Sequence, residues 1–503
     1  MQDSRRRGPE PLFEIAIERP RRGSRDAARN LFSQLAAAIR DGRLAAGTKL
    51  PPTRTSAALF GVSRNTMVKV YDRLLQHGHV VTRRSSGTYV AAAMARHAAP
   101  KPSNDTLVSD RRLNSFWLSD EVGKAIGFWR DSPGESNSPR PNAIDFRPAL
   151  VDPRLFPFDV FRRVSAKQLR RLERKPARSK SPQGNQGNYH LREAISRHVA
   201  LTRAVVCDSD AVLVTSGAQQ AFDLLARTLV TSGKTVVAIE DPGYPPMRVA
   251  FAAAGATVVP VAIDDEGLLV EKLPRDTRVI CVCPSHQFPL GVAMSARRRK
   301  ALIEFARTHD AVIIEDDYDG EFRYDTPLEA LRTFDAADVV FYVGTFSKCM
   351  LPALRLGFIV APRWAIGTLA VAKNCLDWHC STPLQTSVAG FILEGHLARH
   401  VRKMRTLYRR RRELLLNFLR HEIGNALAPI PSFYGMHITA ISHERRDLDP
   451  VAEALHENNV KIHTLRRYFL GSPTHDGLVF GYGAADVADM KRGLALLKKA
   501  LPK

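Results

Sequence analysis

Apolar residues near the start of the chain recur at helical spacing between short loops. The apolar positions of 31–39 predict a first helix, which ends at the glycines that follow it. After the loop Leu50-Pro51-Pro52-Thr53, a second helix is predicted to run as far as Gly61. Ser63 is a suitable N-cap for a third helix, and Gly78 ends that helix.

The third helix is amphipathic, and a hairpin follows it. Its apolar positions are Met67, Val70, Leu74 and Leu75. The polar positions that remain free to face outward are Arg64, Asn65, Thr66, Lys69 and Arg73. Residues 80–90 form two β-rich arms around a polar turn that contains Gly87. This order of elements predicts a mainly α-helical winged helix-turn-helix, and the alternative is a small helical domain with a solvated polar face.

From about Ile144 onward, short β-branched runs alternate with longer helical patterns. The runs are 212–214, 236–239, 257–261, 279–282, 312–314, 339–343 and 358–360. Such alternation is typical of an α/β unit with a mixed, mainly parallel sheet that helices cover. After Trp378 a long basic helical stretch, 396–420, precedes scattered strand candidates, which predicts a smaller α+β subdomain.

These patterns divide the chain into four parts. We expect a DNA-binding domain over 1–95, a linker over 96–142, a large domain over 143–380 and a small domain over 381–503. Clusters of proline, serine and glycine mark the linker. Phe116, Trp117, Leu118 and Phe128 lie inside it, and they indicate that part of the linker packs on something as a short helix.

Composition narrows the partners. The chain of 503 residues carries a formal net charge of +23, and residues 1–100 hold 18 Lys and Arg against 7 Asp and Glu. This asymmetry suits a polyanion, although a solvated basic face is the alternative. No apolar run is long enough to cross a bilayer and no secretory signal is evident, so we expect a cytoplasmic, nucleoid-associated protein without a membrane partner. The 6 cysteines are too few for a disulfide scaffold and lack metal-ligand spacing, so no metal site is predicted.

The amino-terminal motifs resemble a known family. Four segments look like the successive signatures of the GntR-type DNA-binding domain: Leu50-Pro51-Pro52-Thr53-Arg54, Gly61-Val62-Ser63-Arg64-Asn65-Thr66, Tyr71-Asp72-Arg73-Leu74 and Ser86-Gly87-Thr88-Tyr89-Val90. The likeness implies that Arg54, Ser63, Arg64, Thr66 and the wing around Gly87 contact double-stranded DNA. Asn65, Lys69 and Arg73 join this set as outward-facing residues of the helix that would enter the major groove.

A lysine at the end of an apolar strand suggests the chemistry of the larger part. Lys348 ends the segment Val343-Gly344-Thr345-Phe346-Ser347-Lys348. A lysine there suits Schiff-base formation, because its neutral amine must be available to attack an aldehyde. Such a lysine is more often a solvated strand end, so the hypothesis depends on partners from elsewhere in the chain.

Pyridoxal phosphate needs an anion site, a carboxylate, a phenolate donor and a stacking ring. Gly217, Ala218 and Gln219 open a helix after a strand and are candidates for the phosphate, with Ser347 and Arg355. In Glu315-Asp316-Asp317-Tyr318 side chains alternate, so Asp316 shares a face with Tyr318. We therefore predict Asp316 as the pyridinium partner, Tyr318 as the phenolate donor and Tyr244 as the stacking ring.

These pieces, in this order, resemble fold-type I pyridoxal-phosphate-dependent aminotransferases over roughly 144–503, including Gly184-Asn185-Gln186-Gly187. With the amino-terminal domain, the chain resembles the MocR-like branch of the GntR regulators. The resemblance implies pyridoxal phosphate as cofactor and a homodimer, often domain-swapped, for which a linker of about 45 residues has the reach.

Two departures from the aminotransferase pattern affect the function. Phe288-Pro289-Leu290-Gly291 stands where those enzymes carry an asparagine for the phenolate oxygen, which leaves His286 or Gln287 as substitutes. Near the C-terminus, Gly477-Leu478-Val479-Phe480-Gly481-Tyr482 lacks the arginine that usually binds the substrate carboxylate. Arg466 and Arg467 could act instead, but both resemble surface arginines.

Three functions remain after these observations. The leading hypothesis is a transcriptional regulator that senses pyridoxal phosphate, an amine or an amino acid through an aldimine at Lys348. The second is an active aminotransferase that carries a DNA-binding domain, for which weak transamination would suffice. The third is a large domain that serves only as a dimerisation scaffold.

Overall fold

The computed structural model describes residues 17–20, 26–83, 86–91, 112–129, 143–174, 184–324, 328–444 and 446–501. The chain divides into two compact units, Met1–Asp110 and Arg111–Lys503. Within the described ranges, no helix is long and apolar enough to span a bilayer.

The first unit has the helices and hairpin of a winged helix-turn-helix. Its described elements are α1 (Ala27–Arg40), α2 (Thr53–Phe60), α3 (Arg64–Gln76), β1 (Val80–Arg83) and β2 (Gly87–Val90). Gly61 ends α2 in the left-handed region, with a φ of 67°, which a glycine adopts without strain. Ser63 then caps α3, because its side chain accepts a hydrogen bond from the Thr66 amide. The two strands pair antiparallel, with Val80 opposite Val90.

The apolar faces of the three helices meet in one core. This core contains Leu31, Leu35, Met67, Val70 and Leu74. Tyr71 joins α3 to the loop before α2, since its hydroxyl donates to the Pro51 carbonyl at 2.8 Å and lies 2.8 Å from Ser56 Oγ. Burial raises the pKa of Tyr71 to about 12, so the hydroxyl keeps its proton as a donor.

The second unit contains helices on both sides of a large sheet. Its described helices are α4 (Asp120–Ile126), α5 (Phe158–Arg174), α6 (Tyr189–Arg203), α7 (Ala218–Leu229), α8 (Pro245–Ala253), α9 (Ala296–Thr308), α10 (Arg363–Asp377), α11 (Thr382–Leu393), α12 (His396–His421), α13 (Asp449–Glu457) and α14 (Val487–Ala500). The strands are β3 (Ile144–Asp145), β4 (Val212–Thr215), β5 (Val236–Asp241), β6 (Thr257–Asp264), β7 (Gly267–Leu268), β8 (Thr277–Val282), β9 (Val312–Asp317), β10 (Val340–Thr345), β11 (Gly357–Val360), β12 (Leu427–Pro429), β13 (His437–Ser442), β14 (Val460–Lys461), β15 (His463–Thr464) and β16 (Gly477–Gly481).

The described part of this unit has an 8-stranded sheet in the order β4-β11-β10-β9-β8-β5-β6-β7. Its strands run parallel except β11 and β7, which pair antiparallel with their neighbours. The central strands are buried on both faces, as expected of a sheet that helices cover on both sides. This is the mainly parallel α/β sheet that the sequence predicts, and it brings the carboxyl ends of β4, β9 and β10 to one edge.

A smaller sheet follows in the C-terminal part. Among the described residues it has the order β12-β13-β16-β15, and each neighbouring pair is antiparallel. The first strand after the linker returns to this region, because β3 pairs with β14 through Ile144 and Val460. The small subdomain therefore contains residues from both ends of the second unit.

The segment 112–129 packs onto the second unit, and we call it the connector. It contains a 3₁₀ turn, Ser115–Leu118, followed by α4, so a short helix is present where the sequence predicts one inside its linker. Val122 and Ala125 pack with Val249 of α8. Glu121 forms an ion pair of 2.9 Å with Arg248, whose side chain is buried. The linker of 96–142 thus includes a packed helix, and its residues 96–111 and 130–142 lie outside the described residues.

Candidate functional site

A cavity of about 600 Å³ lies at the carboxyl edge of the large sheet. Of the predicted cofactor residues, all but Gly217 line it. They are Ala218, Gln219, Tyr244, Asp316, Tyr318, Ser347, Lys348 and Arg355. They come from segments that follow four different strands, so the fold brings together residues that the sequence separates by up to 137 positions. Carboxyl ends of parallel strands are where ligands bind in open α/β sheets.

Gly217 lies beside the cavity, at the start of α7. It adopts a φ of 81°, and an added Cβ would lie 3.0 Å from Arg355 Nη2, so a side chain there would press on the guanidinium. Arg355 also donates to the Ser216 carbonyl at 3.2 Å. The amino end of a helix presents backbone N–H groups and a partial positive charge. Together with the Arg355 guanidinium, this arrangement suits a phosphate.

The acidic residues of β9 alternate between two faces. Asp316 and Tyr318 face the cavity. Glu315 instead accepts hydrogen bonds from the amides of Leu331 and Arg332 at 2.7 and 2.9 Å. Asp317 accepts one from Arg203 Nε at 2.5 Å. This is the orientation that an extended strand dictates, and it leaves Asp316 as the acid of this strand that points to the cavity.

The Asp316 carboxyl is buried, with one oxygen unsatisfied. Among the described residues, its Oδ1 has no hydrogen-bond partner. Burial, with the negative charges of Asp317 and Asp319, raises the pKa of Asp316 to about 8. A buried polar atom without a partner is costly, so an N–H donor with positive charge in the cavity would stabilise this carboxylate. The pyridinium N–H of pyridoxal phosphate is such a donor, and the residues present therefore fit the cofactor.

Lys348 follows β10 and reaches the same cavity. Its Nζ donates to the Ala149 carbonyl at 2.6 Å. Burial lowers the pKa of the Lys348 amine to about 8, although the carboxyls of Asp319 and Asp316 act in the opposite direction. A substantial fraction of the amine is therefore unprotonated near pH 8, which is the form that attacks an aldehyde.

The Tyr318 hydroxyl makes hydrogen bonds to His286. It lies 2.9 Å from His286 Nδ1 and donates to the His286 carbonyl at 3.1 Å. His286 Nδ1 is also 3.1 Å from Asp319 Oδ2. Burial lowers the pKa of His286 to about 3, so the imidazole is neutral at physiological pH. The buried His286 and Asp319 side chains thus fix the position of the Tyr318 side chain.

The loop after β8 does not place either predicted substitute for the asparagine in the cavity. Phe288 lines the cavity, whereas His286 and Gln287 do not. The Gln287 side chain is occupied, since Nε2 donates to the carbonyls of Pro242 and Phe288 at 2.9 and 2.7 Å. Neither of the two candidate substitutes for the asparagine therefore reaches the cavity in this structure.

Apolar side chains from the connector form part of the cavity wall. Trp117, Val122 and Ala125 line it. Phe128 packs edge-on against Tyr244, with ring centroids 5.7 Å apart at 85°. The sequence indicated that this segment packs on something, but not that it borders the cavity. The only signal was a group of apolar residues in a polar, proline-rich stretch.

The two candidate carboxylate-binding arginines lie elsewhere. Arg466 forms surface ion pairs with Asp447 and Asp476, at 2.9 and 3.1 Å. Arg467 is exposed and, like Arg466, does not line the cavity. Within the described residues that line the cavity, the cationic side chains are Lys348 and Arg355.

In the first unit, the predicted DNA-contacting residues share one surface region of α3. Arg64, Asn65, Lys69 and Arg73 are exposed, and Thr66 is half-buried. Asn65, Lys69 and Arg73 follow one another at four-residue steps and therefore lie on one face of the helix. Ser63 has a second task, since its hydroxyl caps the helix through the Thr66 amide at 3.1 Å.

The other predicted contacts lie on neighbouring elements. Arg54 is exposed on α2. Gly87 begins β2 with a φ of 121°, and an added Cβ would lie 3.0 Å from the Lys49 side chain. Arg84 and Ser85, which follow β1 in the sequence, lie outside the described residues. The described unit has exposed polar side chains at the amino end of α3 and a hairpin after this helix, which is the element order of a domain whose recognition helix enters the major groove.

A winged helix-turn-helix joined to an aminotransferase fold with a lysine-bearing cavity defines a class of DNA-binding regulators. Residues 27–90 match the family model described as bacterial regulatory proteins, gntR family, and residues 156–470 match aminotransferase class I and II. The probable rhizopine catabolism regulatory protein MocR of Rhizobium meliloti is 34% identical over 94% of this chain and 93% of that protein. The chain therefore belongs to the MocR-like family of GntR transcriptional regulators.

Two further relatives are similar over nearly their whole length. The HTH-type pyridoxine biosynthesis transcriptional regulator PdxR of Corynebacterium glutamicum is 30% identical over 94% of this chain and 95% of that protein. The HTH-type transcriptional regulator TauR of Rhodobacter capsulatus is 30% identical over 92% of this chain and 94% of that protein. This chain is accordingly a transcriptional regulator.

The solved structures that resemble the second unit are aminotransferases. Kynurenine aminotransferase of Pyrococcus horikoshii, solved as a complex with PMP, superposes with a TM-score of 0.67 at 25% identity, over 78% of this chain and 96% of that chain. LysN of Thermus thermophilus, an α-aminoadipate aminotransferase, has a TM-score of 0.65 at 24% identity, over 76% and 96%. These similarities establish the fold of the second unit.

Proposed function

We propose that this regulator binds pyridoxal phosphate in the cavity at Lys348 and that occupancy of this cavity changes its binding to DNA. The observation that carries the proposal is the pairing, in one cavity, of a lysine whose pKa burial lowers and a carboxyl whose Oδ1 has no hydrogen-bond partner among the described residues. Perturbed ionisable groups that share a cleft are typical of functional sites. Either Lys348 or Asp316 alone would have a structural explanation. Together, the lysine matches the aldehyde of the cofactor and the carboxyl matches its ring N–H.

Each predicted cofactor residue has a role in this proposal. The amino end of α7, from Gly217 to Gln219, binds the phosphate with Ser347 and Arg355. Asp316 accepts the ring N–H, and Tyr318 would donate its proton to the phenolate oxygen in place of the His286 carbonyl. Tyr244 lies against the ring, and the Lys348 amine provides the covalent attachment. When bound, pyridoxal phosphate supplies an aldehyde carbon that reacts with primary amines.

DNA binding falls to the first unit. Arg64, Asn65 and Thr66 would contact base edges, while Arg54, Ser63, Lys69, Arg73 and the backbone at Gly87 would contact phosphates or neighbouring bases. A ligand in the cavity affects this binding only if its affinity differs between two arrangements of the chain. We propose that the protein works as a homodimer in the cytoplasm, as its family resemblance implies.

The cavity favours a sensor over an aminotransferase. Transamination of an amino acid needs a cationic partner for the substrate carboxylate. Lys348 and Arg355 are the cations among the described lining residues, and both are already committed to the cofactor. The buried Asp316 and the half-buried Lys348 would still hold the cofactor, so binding can persist where turnover lacks its substrate contact.

The test is the visible absorbance of the purified full chain after addition of pyridoxal phosphate. We expect a band that survives extensive dialysis in the wild type and in Lys300→Ala, which replaces an exposed lysine outside the cavity. Lys348→Ala should lose the band because it removes the amine that makes the attachment. A band of equal strength in Lys348→Ala would contradict the proposed site.

A further inference from the structure

Apart from Thr345, the described lining residues that do not serve the cofactor have apolar side chains. Besides the groups assigned above, its lining includes Trp117, Val122, Ala125, Phe222, Val249 and Phe288. Three of these come from the connector, one from α7, one from α8 and one from the loop after β8. A second molecule that entered beside the cofactor would therefore contact aromatic rings and aliphatic side chains.

The described lining residues offer no further positive charge that could pair with an acidic ligand. Among the described residues around the cavity, Arg355 is occupied by the phosphate end and Lys348 by the aldehyde end. Asp316 faces the same space and is itself negative when ionised. A carboxylate transferred from water to apolar surroundings without a cationic partner loses its hydration and gains nothing in return. A sulfonate or phosphate on the ligand would meet the same obstacle.

We propose that the effector is a primary amine with an apolar body and no carboxylate or other anionic group. This inference rests on the proposed function, because the amine is recognised beside the bound cofactor. Its body contacts Trp117, Val122 and Ala125, and the described lining residues leave no cation for a carboxylate, which excludes amino acids. The cavity therefore selects amines in two ways. Its apolar side chains contact the body of the ligand, and the described lining residues leave no cation to pair with a carboxylate.

The bound amine would contact the connector, which is the segment that follows the DNA-binding unit in the chain. The connector is held on the second unit by apolar contacts with Val249 and by the Glu121–Arg248 ion pair. A ligand that packs against the inner side of the connector adds buried apolar surface at this junction and so stabilises its packed position. Residues 112–129 are the first described residues that follow the DNA-binding unit in the chain.

Matched pairs of ligands test the proposal on the full chain loaded with pyridoxal phosphate. Calorimetry would compare 2-phenylethylamine with L-phenylalanine, and hexylamine with 6-aminohexanoate, since a carboxylate replaces a hydrogen in the first pair and the terminal methyl group in the second. We expect each amine to bind at least about tenfold more tightly than its carboxylate partner. Equal or tighter binding of the carboxylate partners would overturn the proposal.

A single substitution should weaken the selectivity. Trp117 is 56% exposed, so Trp117→Arg adds a cation at the cavity wall without disturbing a packed core. We expect the preference for amine over amino acid to fall at least about fivefold, because the guanidinium can pair with the carboxylate. Leu113→Arg is the control, since Leu113 is 59% exposed on the same segment and does not line the cavity. An unchanged preference in Trp117→Arg, or an equal change in Leu113→Arg, counts against the proposal.

The outcomes separate this inference from the proposed function. A protein that gains no visible band with pyridoxal phosphate refutes the proposed function itself. A protein that gains the band but prefers amino acids, or binds neither member of a pair, retains the proposed function and refutes the inference about the effector.

Discussion

Burial moves the pKa of the Asp316 carboxyl and of the Lys348 amine in opposite directions, and both reach about 8. Each group is therefore shifted toward its uncharged form in the cofactor-free protein. A cofactor that brings a positive N–H to the carboxyl and an electrophilic carbon to the amine uses both shifts. A bound cofactor would therefore lower the free energy of both side chains in the cavity.

The stability of the cofactor-free protein should show the effect of Asp316. Its pKa is raised from 3.8 to about 8, so the folded chain holds a proton that the unfolded chain has already released. The contribution of Asp316 therefore makes the free energy of unfolding fall as the pH rises between these two values. Asp316→Asn removes this contribution, and we expect the variant to gain stability relative to the wild type as the pH approaches 8.

Thermal unfolding across this pH range, with and without pyridoxal phosphate, measures both sides of the prediction. Without cofactor the difference between variant and wild type should grow with pH. With cofactor the order should reverse, because Asn cannot supply the negative charge for the pyridinium N–H. Parallel pH curves for the two cofactor-free proteins would show that Asp316 is not shifted by burial.

Among the elements, α3 has its position fixed from inside the first unit. Tyr71 ties it to the loop at Pro51, and Ser63 caps its amino end. The exposed Arg64 and Lys69 are therefore presented on a rigid helix, one near its start and one a turn further along. Residues near the start of a recognition helix read bases, and those further along more often contact phosphates.

Arg64→Ala and Lys69→Ala should consequently weaken DNA binding in different ways. We expect Arg64→Ala to cost roughly 1–3 kcal/mol on the preferred sequence and to relax sequence choice. Lys69→Ala should weaken all sequences alike and reduce the slope of log affinity against log salt by about one. Binding titrations at several salt concentrations, on specific and unrelated fragments, would distinguish these results. A uniform loss for Arg64→Ala would remove it from base recognition.

The connector is an element whose contribution to the cavity wall only the structure shows. Val122 is 1% exposed, and Ala125 is the other buried residue among the described side chains of α4. Val122→Ala should therefore loosen the connector locally, and we expect hydrogen exchange of residues 112–129 to rise several-fold while β9 and β10 stay protected. Leu113→Ala, on the same segment but exposed, should leave exchange unchanged. Equal exchange in wild type and Val122→Ala would mean that other contacts hold the connector.

Patterns of short period were sufficient to predict most elements of the fold. The helical spacing around Leu31 and Met67 and the β-branched runs at the sheet strands predict the helix-turn-helix and the mainly parallel sheet. Alternation within β9 predicts which of its acids faces the cavity, because side-chain direction in a strand depends only on the backbone. These features are local, so a single sequence contains them.

Features that depend on distant contacts were not predictable. The connector binds α8, about 125 residues later in the chain, and its apolar positions are too few to show a period. The entry of Phe288 into the cavity in place of His286 or Gln287 depends on how the loop folds after β8. The pairing of β3 with β14 likewise joins the two ends of the second unit. Sequence spacing has no signal for such contacts.

At the scale of the whole molecule, one chain joins a basic DNA-binding unit to a unit with a ligand cavity. The first 100 residues carry about half of the net charge of +23, which suits a phosphate backbone. The second unit keeps the aminotransferase fold, while its cavity lacks a cation for a substrate carboxylate among the described residues. We therefore assign the cavity of the second unit to sensing, with occupancy at Lys348 changing the affinity for DNA.

The most direct test is the affinity of the full chain for a DNA fragment that it selects from its own genome, measured with and without pyridoxal phosphate. We predict that the cofactor changes the dissociation constant of the wild type at least about fivefold, a typical allosteric coupling. Lys348→Ala should bind the same fragment with an affinity that the cofactor does not alter. An unchanged dissociation constant in the wild type, under conditions where the visible band shows that the cofactor is bound, would contradict the account.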